Sequence, residues 1–156
     1  MINIRTIQHY MYCPRRFGLL EIENAWAENV SVVLANIMHE NVHSGKHQFK
    51  SNNKVVLSSV TLYNDELDLY GVADCIEFCK NKDGVPIDGL DGKYTVRLVE
   101  YKPTQPKGGS IRETDAIQVF AQNLCADDIW KCNSEGCIYY ADTRKRVKMP
   151  FDEEYD

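Results

Sequence analysis

The sequence predicts an α/β fold of the α+β kind, with a mixed central sheet flanked by helices. Three observations predict it. The chain has 156 residues, of which 44% are hydrophobic, enough for one domain with a core. Its β-rich runs cluster between Lys54 and Lys102. A single helical-period segment then separates those runs from two further strands, an order that reads as a mixed sheet with helices packed on it.

From the N-terminus, Ile7 to Glu23 carries apolar residues at roughly helical spacing, interrupted by Pro14. Proline removes a helical donor and clashes with the preceding turn, so a helix is expected on each side of it or starting at it. Ser31–His47 repeats Val33, Ile37, Met38 and Val42 on a second helical face. Lys54–Tyr63 and Glu66–Phe78 read as strands of a hairpin turning at Asn64-Asp65. Asn81–Gly92 is rich in Gly, Asp and Asn and reads as an exposed hairpin loop. Tyr94–Lys102 is a third strand, and Pro103–Ser110, with two prolines and a Gly pair, a mobile loop leaving it. Thr114–Trp130 repeats Ile117, Phe120, Ala121 and Leu124 at helical spacing. Gly136–Ala141 and Arg146–Phe151 complete the strands.

Composition excludes several classes. A charged fraction of 26% with no periodic glycine rules out collagen-like and low-complexity chains. No apolar run approaches the ~18 residues of a membrane span, and Met1–Arg5 has no apolar region of a secretory signal. The expected location is therefore cytoplasmic, with no membrane partner. The net charge is −5, and the last 45 residues carry ten acidic against six basic residues. A polyanion would thus be met at a local basic groove or through metal ions. Six cysteines, at 13, 75, 79, 125, 132 and 137, include no CxxC pair, so free thiols or scattered ligands are expected rather than disulfides.

Chemistry concentrates in two strands. Gly71-Val72-Ala73-Asp74 lies in the second and Glu100-Tyr101-Lys102 ends the third. Residues two apart on a strand share a face, so Glu100 and Lys102 point together, and Asp74 joins them if the strands are neighbours. Two converging carboxylates bind Mg2+ or Mn2+, which take oxygen ligands. The ion can activate water while a lysine orients water or phosphate. Taken singly, Asp74 reads first as a turn or surface carboxylate, and the Glu100–Lys102 pair reads equally as a same-face salt bridge. Gly71 would permit a close approach to its backbone. Gln118, followed one turn on by Gln122, could hydrogen-bond a coordinating carboxylate. His39-Glu40-x-x-His43 matches HExxH on a predicted helix, which leaves a zinc hydrolase as an alternative.

In this order, His39, Gly71-x-x-Asp74, Glu100-x-Lys102 and Gln118 resemble the RecB-type nuclease motifs of the PD-(D/E)xK superfamily. Gln8-His9-Tyr10-Met11-Tyr12-Cys13-Pro14-Arg15-Arg16 resembles the opening of the CRISPR-associated exonuclease family, the fourth Cas protein. Glu23-Asn24-x-Trp26-x-Glu28-Asn29, Met38-His39-Glu40 and Tyr139-Tyr140-x-x-Thr143-Arg144-x-Arg146 extend the resemblance over essentially the whole chain.

The resemblance implies a restriction-endonuclease-like core in a single domain over residues 1–156, with 1–30 as an N-terminal helical segment. It implies a metal-dependent exonuclease on single-stranded DNA ends or overhangs that trims prespacers beside the CRISPR adaptation integrase. It implies His39, Asp74, Glu100 and the Tyr101 carbonyl as ligands of Mg2+ or Mn2+, Lys102 as the catalytic lysine and Gln118 as a supporting residue. A non-catalytic partner of the integrase is the other reading the resemblance allows.

Two departures are visible. Gln122 stands where RecB-type nucleases usually carry tyrosine. The family's [4Fe–4S] cluster takes one N-terminal cysteine, matched by Cys13, and three near the C-terminus. Cys132 and Cys137 fall too early for these, so an incomplete cluster is expected, with Cys75, Cys79 and Cys125 as ordinary buried thiols.

Overall fold

Lys54 to Lys102 folds into three antiparallel strands that form the centre of a seven-stranded mixed sheet. The computed structural model describes residues 1–22 and 48–149. The strands are β1 (Ile2–Asn3), β2 (Gln48–Lys50), β3 (Lys54–Asn64), β4 (Leu69–Pro86), β5 (Lys93–Lys102), β6 (Glu135–Tyr140) and β7 (Lys145–Lys148). The helices are α1 (Ile4–Tyr12), α2 (Pro14–Phe17), a five-residue π-helical turn at Gly18–Ile22, and α3 (Glu113–Trp130). The mixed α+β architecture is the one the sequence predicts.

The sheet runs β2-β3-β4-β5-β6-β7, with β1 parallel to the start of β4. β5 and β6 are parallel, and α3 makes the crossover between them. Alternation along β4 and β5 sends Ile76, Phe78, Val96 and Leu98 toward α3, where they meet Ala121, Cys125 and Ala126. Phe78 meets the Trp130 ring edge-on at 5.2 Å. Ala116 and Val119 pack on Ile138, Tyr140 and Met149 in an adjoining cluster. Cys75, Val99 and Cys137 form a smaller cluster on the opposite face.

Pro14 separates the first two helices, as its chemistry demands. The Asn64-Asp65 turn is also as expected: Asn64 Oδ1 accepts from the Leu67 amide, and its Nδ2 donates to the Leu124 carbonyl of α3. The loop expected over Asn81–Gly92 is a correction. β4 continues to Pro86 through a bulge between Lys80 and Val85, and only the later part is a turn. A Cβ on Gly84 would collide with the Tyr94 carbonyl, so glycine lets the bulge close on β5. The short β1 and β2 are further additions. The helix expected over Ser31–His47 lies outside the described residues.

At Asp74, β4 is interrupted on both sides. Its ladder with β3 skips the Ser59/Asp74 position, where Ser59 has φ 53°. Its ladder with β5 ends at Cys75↔Val99. β1 takes over that edge of β4 only at Leu69 and Tyr70. A fork is thus left open between the end of β5 and the start of β4, and α1 packs beside it, with Ile4 against Gly71 and Gln8 bonded to α3. A Cβ on Gly71 would lie 2.9 Å from Ile4 Cδ1, so the close approach at this glycine is by a side chain of α1.

Candidate active site

The fork gathers Asp74, Glu100, Lys102 and Gln118. One step beyond Cys75↔Val99 the register sets Asp74 opposite Glu100. The Asp74 carboxylate fills the gap, its Oδ2 accepting from the Tyr101 amide at 3.0 Å. Glu100 and Lys102 share the face of β5 that looks toward α3. Glu100 is 5% exposed.

Gln118, on α3, joins them. Its Nε2 donates to Glu100 Oε1 at 2.7 Å, and its Oε1 accepts from Lys102 Nζ at 2.9 Å. The amide therefore presents its donor to the carboxylate and its acceptor to the ammonium. Gln8, on α1, donates to the same Gln118 oxygen at 2.8 Å and to the Thr114 carbonyl at 3.0 Å. One turn along α3, Gln122 Nε2 donates to Glu100 Oε2 and to the Val72 carbonyl, each at 3.2 Å. The Val72 carbonyl lies at the fork, so Gln122 both supports Glu100 and supplies a partner to backbone there.

Lys102 Nζ also lies 3.5 Å from Glu100 Oε1 and 3.4 Å from Asp115 Oδ1, making an ion-pair network rather than a single pair. Burial and the neighbouring Asp74 charge push the Glu100 carboxyl above its ordinary range. Lys102 and the amides of Gln122 and Gln118 pull against that shift. A buried glutamate facing a second carboxylate is a place where a cation would relieve repulsion.

The structure thus brings together Asp74, Glu100, Lys102 and Gln118. The Tyr101 side chain turns to the opposite face, where its ring meets Tyr139 at 5.4 Å, leaving only its backbone at the fork. Cys13 sits half-exposed at the joint between α1 and α2. His39, with the His43 of the HExxH pattern, lies outside the described residues. Among the described residues no three His, Cys, Asp or Glu side chains are grouped so as to hold a metal ion. Asp74 and Glu100 supply hard oxygen donors, which fit a divalent ion such as Mg2+ or Mn2+.

Sequence reasoning missed Gln8 and Asp115 as parts of this site and did not foresee that Gln122 is buried. The signal was present: Asp115, Gln118 and Gln122 form a polar stripe at i, i+3 and i+7.

The chain is similar to the CRISPR-associated exonuclease Cas4/endonuclease Cas1 fusion of Geobacter sulfurreducens (strain ATCC 51573 / DSM 12127 / PCA), at 24% identity over 160 residues. The match takes in 99% of this chain. It supports a Cas4-like protein. The chain spans 26%, about a quarter, of that relative's length. No protein-family model matches. A solved structure described as the crystal structure of SSO0001 aligns with 98% of this chain and 69% of its own, at 19% identity and a TM-score of 0.41, a likeness that decides nothing about the site. Among the described residues no helix is long and apolar enough to cross a membrane.

Proposed function

We propose that this chain is a divalent-metal-dependent exonuclease that hydrolyses phosphodiester bonds at single-stranded DNA ends and overhangs. It processes prespacers during CRISPR adaptation. The observation that carries the reading is the placement of Glu100, Lys102 and Gln118 in one hydrogen-bonded set beside Asp74 at the β4–β5 fork. The similarity to a Cas4/Cas1 fusion supports it.

In this reading Asp74, Glu100, the Tyr101 carbonyl and His39 would hold Mg2+ or Mn2+. The bound ion would supply an activated water and neutralise charge on the phosphate. Lys102 donates from its ammonium to a phosphate oxygen or to the attacking water. Gln118 holds Lys102 and Glu100 in register, so neither reorganises when the phosphodiester arrives. Gln8 fixes the Gln118 amide from the other side. The relative carries its Cas1 endonuclease in the same polypeptide. By extension, this chain works beside a Cas1-type integrase, in the cytoplasm. Cys13 is the residue assigned to an iron–sulfur centre, which takes four donors and so needs more than this one.

The test is cleavage of end-labelled single-stranded DNA with Mg2+ or Mn2+ and with EDTA. Cleavage that needs the ion, lost in Lys102→Ala with Mn2+ binding retained and impaired together with Mn2+ binding in Glu100→Ala, is expected. Equal cleavage by wild type and Lys102→Ala would overturn the mechanism.

A further inference from the structure

Asp115 stands in the first turn of α3, where a carboxylate favours the helix dipole even when fully solvated. That role needs no burial, yet this side chain is only 9% exposed and turns inward. Its Oδ1 lies 3.4 Å from Lys102 Nζ. Its Oδ2 has Arg112 Nη1 at 3.9 Å and no hydrogen bond among the described residues. The Tyr140 hydroxyl, on β6 directly across the register from Lys102, is likewise buried without one and feels the Asp115 charge. A buried carboxylate with an incomplete hydrogen-bond shell is costly, and among the described residues Lys102 is the cation nearest to it.

The Lys102 ammonium has three donors and three acceptors around it. Glu100 comes from its own strand, and Gln118 and Asp115 come from α3, three residues apart on one face. Glu100 alone would draw the ammonium onto the carboxylate that the metal requires. Asp115 attracts it toward α3 at a closely similar distance, 3.4 Å against 3.5 Å.

We propose that Asp115 is the positioning residue of Lys102, drawing the ammonium away from Glu100 so that Glu100 serves the ion and Lys102 the scissile phosphate. This rests on the nuclease reading above, and its test is separable from it. In Asp115→Asn, kcat for single-stranded DNA should fall roughly tenfold to a hundredfold, as misplacement of a reacting group by about an ångström does. KM and Mn2+ affinity should stay within about twofold, because ligands and substrate contacts are intact. Asp115→Glu should recover part of the rate, and it carries the same assays if Asp115→Asn does not fold. A double-mutant cycle with Lys102→Ala, read by thermal melting, should show coupling between positions 115 and 102. Wild-type kcat in Asp115→Asn, or additive melting shifts in the cycle, would overturn the positioning role. Absence of any cleavage by the wild-type protein would overturn the nuclease reading, while the melting cycle still decides the Asp115–Lys102 contact.

Discussion

Gln122 and Glu100 are joined across the β4–β5 fork by a 3.2 Å hydrogen bond, and the same Gln122 nitrogen reaches the Val72 carbonyl at 3.2 Å. One buried amide thus donates both to a carboxylate and to a backbone oxygen of β4. Gln122→Leu keeps the volume and removes both donors. It should destabilise the protein by about 1–3 kcal/mol, the cost of leaving buried acceptors unpaired, measured as a lowered midpoint in urea. Gln122→Glu should be worse, because it places a second carboxylate against Glu100.

Glu100 itself should weaken the fold that holds it. Burial and the Asp74 charge raise its pKa, so its contribution to stability is fully present below its ordinary value of 4.5 and lost as pH rises through the folded value. Glu100→Gln should therefore melt above wild type at pH 8 in EDTA, with the difference shrinking toward pH 4. Added Mn2+ should raise the melting temperature of wild type and not of the variant. A wild type more stable than Glu100→Gln at pH 8 without divalent ions would contradict this account.

Much of the sheet was legible because alternation and turn chemistry are local. The Asn64-Asp65 turn, the break at Pro14 and the shared face of Glu100 and Lys102 all follow from neighbouring residues. The buried side of α3 did not follow. The apolar stripe of Ile117, Phe120, Ala121 and Leu124 suggested the inner face, yet of these only Ala121 is buried, alongside Asp115, Val119, Gln122 and Ala126. Tertiary placement overrode the periodicity because α3 covers both the apolar sheet and the polar fork, and the polar part of its inner face holds the site together. The extension of β4 to Pro86 was hidden for a related reason: the Gly-rich composition of a loop also serves a bulge.

The thiols on and after α3 are poor candidates for metal ligands. Burial, aided by the Asp128 charge, pushes Cys125 up to about 11. Burial, with Asp127 beside it, pushes Cys132 up to about 12. Ligation of iron or zinc takes the thiolate, which both sites disfavour. Neither residue should react appreciably with iodoacetamide at pH 8 in the folded protein, and both should react once it is unfolded in urea. Mass spectrometry of the alkylated peptides reads the difference. Rapid native-state labelling of Cys125 would show that the helix opens far more readily than its burial implies.

On the sheet face opposite the site, Glu77 is nearly inaccessible and lies 2.6 Å from Arg146 Nη2 and 2.5 Å from Lys54 Nζ. Burial alone would raise its pKa, but the hydrogen-bonded guanidinium and ammonium outweigh it and hold the carboxyl below its ordinary range. The sign is the reverse of that at Glu100. The contribution of Glu77 is present above its ordinary 4.5 and is lost as pH falls through the lowered folded value. Glu77→Gln should therefore destabilise the protein at pH 7, with the gap to wild type closing below about pH 4.5. Because Lys54 and Arg146 are 38% and 43% exposed, water screens them, and the cost should be about 2–3 kcal/mol, under the ~3–5 of a fully buried pair. Urea unfolding of both proteins at pH 7 and pH 3.5 measures it. A destabilisation that is the same at both pH values would mean that packing around Glu77, and not its charge, holds this face of the sheet.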